Sequence, residues 1–252
     1  MLTRKMNWLG IIVNFLLVPT VLAGFPYLIR FAVPQRYGQL ADDLVIVIIA
    51  LLLNHYFWQV KLQLFNRKKF WLQLLQCLPA ILFLLFSRFT TWLQVSWQKL
   101  SLRILLTVLF IALAEELIFR GLLLPLSLSL THNHAFAAVL ISSIGFGVAH
   151  LVNVFNMSAT IVFLQIILVV ATGILWGTVY LTTHNLSLTI LLHICDDLPL
   201  FLVKSGGSLS APNSHDLMLA AVIYLGLTVL FCGIAMIQIR LAHLNGHQHS
   251  QM

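Results

Sequence analysis

Residues 109–121 read LFIALAEELIFRG, and they hold both glutamates of the 252-residue chain, Glu115 and Glu116, side by side in an otherwise apolar run. The apolar character continues far to either side. Of all residues, 60% are hydrophobic and 8% are charged, with a mean hydropathy of +0.99. A soluble domain carries about 25% charged residues, so this chain cannot cover its own surface in water. Soluble enzymes, nucleic-acid readers and disordered tails are thereby excluded. What remains is an all-α, polytopic transmembrane helix bundle, because a helix satisfies its backbone polar groups within the bilayer. The net charge of +7 does not point to a nucleic-acid partner. The one basic cluster, Arg67, Lys68 and Lys69, suits a loop held at an anionic membrane surface.

A helix needs about 20 apolar residues to cross the hydrocarbon core, and eight segments qualify: 8–29, 44–60, 70–87, 102–119, 135–152, 159–181, 186–203 and 217–239. Asp42, Asp43 and Asp216 are expected in loops, 61–69 in an inner loop, and 88–101 in a helix lying at the interface. A slight excess of basic residues places both termini inside. The segment before residue 30 is expected to be a retained span, since Pro19 and Pro26 interrupt it and no small-x-small cleavage site follows. Residues 1–252 form a single membrane domain, without internal repeats. Cys77, Cys195 and Cys232 stand apart in apolar surroundings, with neither disulfide nor zinc-knuckle spacing.

Four acids lie inside apolar spans: Glu115, Glu116, Asp196 and Asp197. An ionisable group at membrane depth costs about 2.5–3.5 kcal/mol on insertion scales, which makes each a functional candidate. Glu116 and Arg120, four apart, share a helix face and can pair. Glu115 points about 100° away and is left free to act as a base. His150 and His193 end two apolar stretches, and Asp197 shares a face with His193, so it can orient the imidazole. His55, His132, His134, His184 and His215 read as interfacial or solvated. The tail histidines His243, His247 and His249 read as an adventitious metal binder at most.

A carboxylate and an imidazole can together deprotonate water for attack on a peptide carbonyl, while a second imidazole steadies the oxyanion. The same Glu115, His150 and His193 could instead hold a divalent metal such as zinc. The H-E-x-x-H and G-x-S-x-G motifs are absent. Two non-proteolytic readings also fit such a polar group: a transporter coupled to protons or a cation, and a non-catalytic immunity protein.

Taken in order, Glu115-Glu116-x-x-x-Arg120, Phe146-x-x-x-His150 and His193-x-x-x-Asp197 resemble the three signature motifs of the CAAX-protease and bacteriocin-processing family, also called Abi or Rce1-like. The resemblance spans about residues 110–205. It implies an intramembrane endopeptidase in which Glu115 activates water and His150 assists. By the same resemblance, His193 and Asp197 form the oxyanion site, Glu116 and Arg120 pair, and Phe146 packs beside His150. Eukaryotic members usually carry Asn where this chain has Asp197. An amide donates to an oxyanion and an ionised carboxylate does not, so Asp197 is either protonated or orients His193. The implied setting is a bacterial plasma membrane, with a membrane-presented peptide or protein as substrate and peptide processing or bacteriocin self-immunity as the role.

Overall fold

The computed structural model of the chain describes residues 4–29, 31–203 and 213–249, with side chains over 8–28, 31–203 and 213–242. The helices are α1 (Arg4–Ile29), α2 (Gly38–Leu53), α3 (Phe70–Leu93), α4 (Leu102–Glu116), α5 (Leu124–Leu130), α6 (Ala135–Ala149), α7 (Ala159–Thr183), α8 (Leu186–Leu202) and α9 (Ser214–His249). A π-helical segment, Leu117–Leu123, joins α4 to α5, so that the chain stays helical from Leu102 to Leu130. The architecture is an all-α membrane bundle, and each of the eight expected segments falls on a helix.

Among the described residues, six helices are long and apolar enough to cross a membrane. The other two expected segments, 102–119 and 186–203, lie on α4 and α8, with 15 and 17 α-helical residues. These two carry Glu115, Glu116, Asp196 and Asp197, so that polar load comes with shorter regular stretches. Outward-facing residues such as Phe86 and Trp71 are almost fully exposed, as expected of side chains that meet lipid rather than water.

Helix α7 sits centrally, packed by α6, α9 and α3, while α4 lies between α2 and α8. One apolar cluster joins α3, α6, α7, α8 and α9 around Trp176; a second joins α1, α2, α4, the π segment and α6 around Phe119 and Phe146. Helix α6 belongs to both, and its crossing with α7 depends on glycine. A Cβ on Gly173 would stand 3.2 Å from the Ser143 backbone. One on Gly147 would overlap the Val170 side chain and lie 3.2 Å from the Ile166 carbonyl. Small residues at such a crossing let two helix backbones approach closely. Gly147→Val is expected to cost about 1–3 kcal/mol by overpacking, read as a lower thermal midpoint in detergent; an unchanged midpoint would mean that this crossing does not set stability.

Three expectations are corrected. Asp42 and Asp43 are not in a loop: Pro34 and a 3-10 turn (Gln35–Tyr37) start α2 at Gly38, and both aspartates are buried on it, 5% and 3% exposed. Segment 88–101 is not an interfacial helix. Helix α3 runs on through Arg88, which meets Asp196 of α8, and the chain then turns as Val95 bridges to Val203 and the Ser96 N–H donates to the Leu202 carbonyl at 2.9 Å. Segment 61–69 is more than a surface loop. Its Gln63 and Leu64 carbonyls accept from the Leu186 and Ser187 N–H groups, which α8 cannot satisfy within its own first turn. Asp216, also expected in a loop, falls on the first turn of α9; residues 204–212 before it lie outside the described residues, as do the side chains of His243, His247 and His249.

Candidate active site

The site is built on α4, α6 and α8, around a buried ion pair. Arg120 Nη1 donates to Glu116 Oε1 at 2.8 Å, with both side chains fully buried. The pair sits where α4 passes into the π segment, and such single widened turns recur at functional sites. Arg120 also places its guanidinium 4.4 Å from the centre of the Phe146 ring. A cation over an aromatic face in a dry setting adds up to about 2 kcal/mol. Phe146 then stands edge-on to two imidazoles, His150 at 5.2 Å and His193 at 5.9 Å between centroids. The expected packing of Phe146 beside His150 is present, and it reaches His193 as well.

His193, 5% exposed, is enclosed by carboxylates. Its Nδ1 donates to Glu116 Oε1 at 3.0 Å. Its Nε2 faces Glu115 Oε2 at 3.4 Å and Asp197 Oδ2 at 3.5 Å. The orienting partner at Nδ1 is thus Glu116, and Asp197 flanks the other nitrogen. Glu116 does more than neutralise Arg120, because one of its oxygens serves both the guanidinium and the imidazole. Glu115 stands free of Arg120, as its 100° offset implied, and its side chain reaches a cavity.

His150 ends α6 and opens a 3-10 turn, His150–Phe155. Its Nδ1 lies 2.9 Å from the Phe146 carbonyl oxygen. A carbonyl only accepts, so Nδ1 carries the hydrogen, and in the neutral ring Nε2 remains an acceptor. Glu115, His150, His193 and Asp197 all line one cavity of about 750 Å³. Asp196 pairs with Arg88 at 2.5 Å and ties α8 to α3. Cys195 is a free, exposed thiol.

Asp43 is a neighbour that the sequence did not offer. It accepts from Gln39 Nε2 at 2.9 Å and lies within electrostatic reach of Glu115 and Asp197. Its one signal in the sequence is an acid next to an apolar run, and hydropathy alone begins that span at residue 44. The donors of the metal alternative would be Glu115, His150 and His193, which all line the cavity. Among the described residues, no three His, Cys, Asp or Glu side chains gather closely enough to hold an ion. Glu116 and the Phe146 carbonyl engage Nδ1 of His193 and of His150, which leaves the Nε2 atoms as the nitrogens available to other groups.

No curated protein and no solved structure matches the chain. Residues 97–198, less than half of its length, match the family model described as type II CAAX prenyl endopeptidase Rce1-like. That stretch contains the Glu-Glu-x-x-x-Arg, Phe-x-x-x-His and His-x-x-x-Asp residues whose side chains meet around the cavity. Over residues 97–198, the chain is similar to the Rce1-like family of type II CAAX prenyl endopeptidases.

Proposed function

We propose that the protein is an intramembrane endopeptidase that hydrolyses a peptide bond with activated water and no covalent enzyme intermediate. The supporting observation is the convergence of Glu115, His193 and Asp197 within 3.4–3.5 Å contacts, in a cavity that His150 also lines. Glu115 and the bare Nε2 of His150 are both acceptors, so together they can draw a proton from water as it attacks the carbonyl carbon. Nε2–H of His193, held in line by Glu116 at the far nitrogen, donates to the oxygen that becomes negative. Glu115 then returns the proton to the departing amine, and the bond is broken with each proton accounted for. Asp197 lies at the oxyanion side of His193.

The substrate is a peptide or protein segment presented within a bacterial plasma membrane, in peptide processing or bacteriocin self-immunity. Because no group of three ligating side chains gathers among the described residues, chelators are expected to leave cleavage intact; a chelator-sensitive activity restored by zinc would overturn this metal-free scheme. The direct test compares new peptide termini in host membranes carrying the wild type or Glu115→Ala at equal expression. Termini specific to the wild type would establish proteolysis and supply the substrate. Identical termini, alongside a wild-type phenotype that the variant lacks, would overturn the reading and direct attention to ion flux.

A further inference from the structure

Much of the cavity lining is apolar, with Met157, Ile161, Leu164 and Leu168 contributing to it. Two amide side chains interrupt it. Asn153 Nδ2 donates to Gln165 Oε1 at 2.8 Å, and both residues line the cavity. That bond joins the 3-10 turn after His150 to α7. It uses one N–H and one carbonyl out of two full amide groups. The Asn153 carbonyl and three amide hydrogens have no other side-chain or backbone partner among the described residues. An amide pair in a lipid-facing bundle finds no stabilisation in an apolar wall unless a polar group meets it.

The unfilled capacity is that of a peptide group: an acceptor for an N–H and donors for a C=O. Its place follows from the 3-10 turn. Side chains at i and i+3 eclipse there, with a rise of about 2.0 Å per residue, so Asn153 stands above His150 on the same face, about 6 Å along. An extended peptide advances about 3.3 Å per residue, which makes that separation about two residues.

Building on the protease reading, we propose that Asn153 and Gln165 form a backbone clamp that holds the substrate in an extended conformation about two residues from the scissile bond. The flanking Ile161, Leu164 and Leu168 then receive apolar side chains. The substrate class is an unwound, apolar peptide segment, recognised through its main chain at this point rather than by a charged side chain.

The test uses short synthetic peptides spanning a cleavage site found by the comparison of termini, with full-length enzyme in detergent. One peptide is all-amide; the others carry a single ester that deletes one backbone N–H near the scissile bond. In the wild type, one ester position is expected to raise KM about tenfold, the effect of one lost hydrogen bond, with kcat nearly unchanged. Asn153→Ala should raise KM similarly for the all-amide peptide and abolish the penalty of that ester. Gln165→Leu should also raise KM and spare kcat. Ester penalties that are equal in wild type and Asn153→Ala would overturn the clamp. So would variants that lower kcat at constant KM, which is the mark of a pair that only supports His150. If the wild type cleaves none of these peptides, the protease reading itself fails, and the clamp with it; cleavage with additive penalties removes the clamp alone.

Discussion

Glu115→Gln is expected to lower turnover by about 10²–10⁴-fold, the range contributed by a positioned general base, and to leave the fold intact. The two halves of this expectation have separate origins. Turnover falls because an amide cannot accept a proton from water, and no other carboxylate on α4 can replace Glu115: Glu116 is fully buried and engaged by Arg120 and His193. The fold survives because Glu115 is not the counter-ion of Arg120. Its closest charged neighbour is the His193 ring at 3.4 Å, and a glutamine of the same shape can keep that contact. Near-normal unfolding in detergent, together with loss of cleavage of a wild-type substrate, would satisfy both halves. Undiminished cleavage would remove Glu115 from the chemistry and, with it, the water-activation scheme. Loss of an ion flux in a variant whose cleavage is unchanged would favour the transporter reading, and a phenotype indifferent to the substitution would favour the non-catalytic one.

Polar residues at membrane depth make much of this site legible in advance. Glu115, Glu116, His150, His193 and Asp197 stand out because each is expensive in hydrocarbon, and helical spacing alone pairs Glu116 with Arg120. The same spacing predicts the His193–Asp197 proximity, which the structure reproduces at 3.5 Å, but not which carboxylate takes Nδ1. That choice depends on how α4 and α8 pack, and the spacing within one helix carries no such information. Asp43 escapes notice for a related reason. A hydropathy window starts a span where apolar residues begin, whereas α2 begins one and a half turns earlier, after Pro34, with its polar residues turned inward. The π segment after Glu116 has no compositional mark at all, since Leu117, Ile118 and Phe119 would suit an α-helix equally well. Segment 88–101 misleads because Arg88 and two tryptophans look interfacial until Asp196 supplies Arg88 with a partner from another helix.

Arg120→Met is expected to destabilise the protein by about 3–5 kcal/mol, because it leaves Glu116 charged and dry. Against a typical total of about 5–15 kcal/mol, that loss should appear as poor recovery from membranes and a much lower thermal midpoint. The informative comparison is the double variant Glu116→Leu with Arg120→Met. Replacing both partners by apolar side chains of similar volume is often neutral or stabilising in a buried site, so most of the stability should return. A residual deficit follows from losing the guanidinium over Phe146 at 4.4 Å and its 3.4 Å bond to the Gly173 carbonyl. Activity should not return, because a leucine in place of Glu116 cannot accept from His193 Nδ1, and the ring is then free to turn its Nε2 away from Glu115. A double variant as unstable as Arg120→Met would show that the unpaired charge was not the cause of instability. A double variant that is folded and fully active would show that Glu116 serves the fold alone, and that His193 is oriented by Asp197 after all.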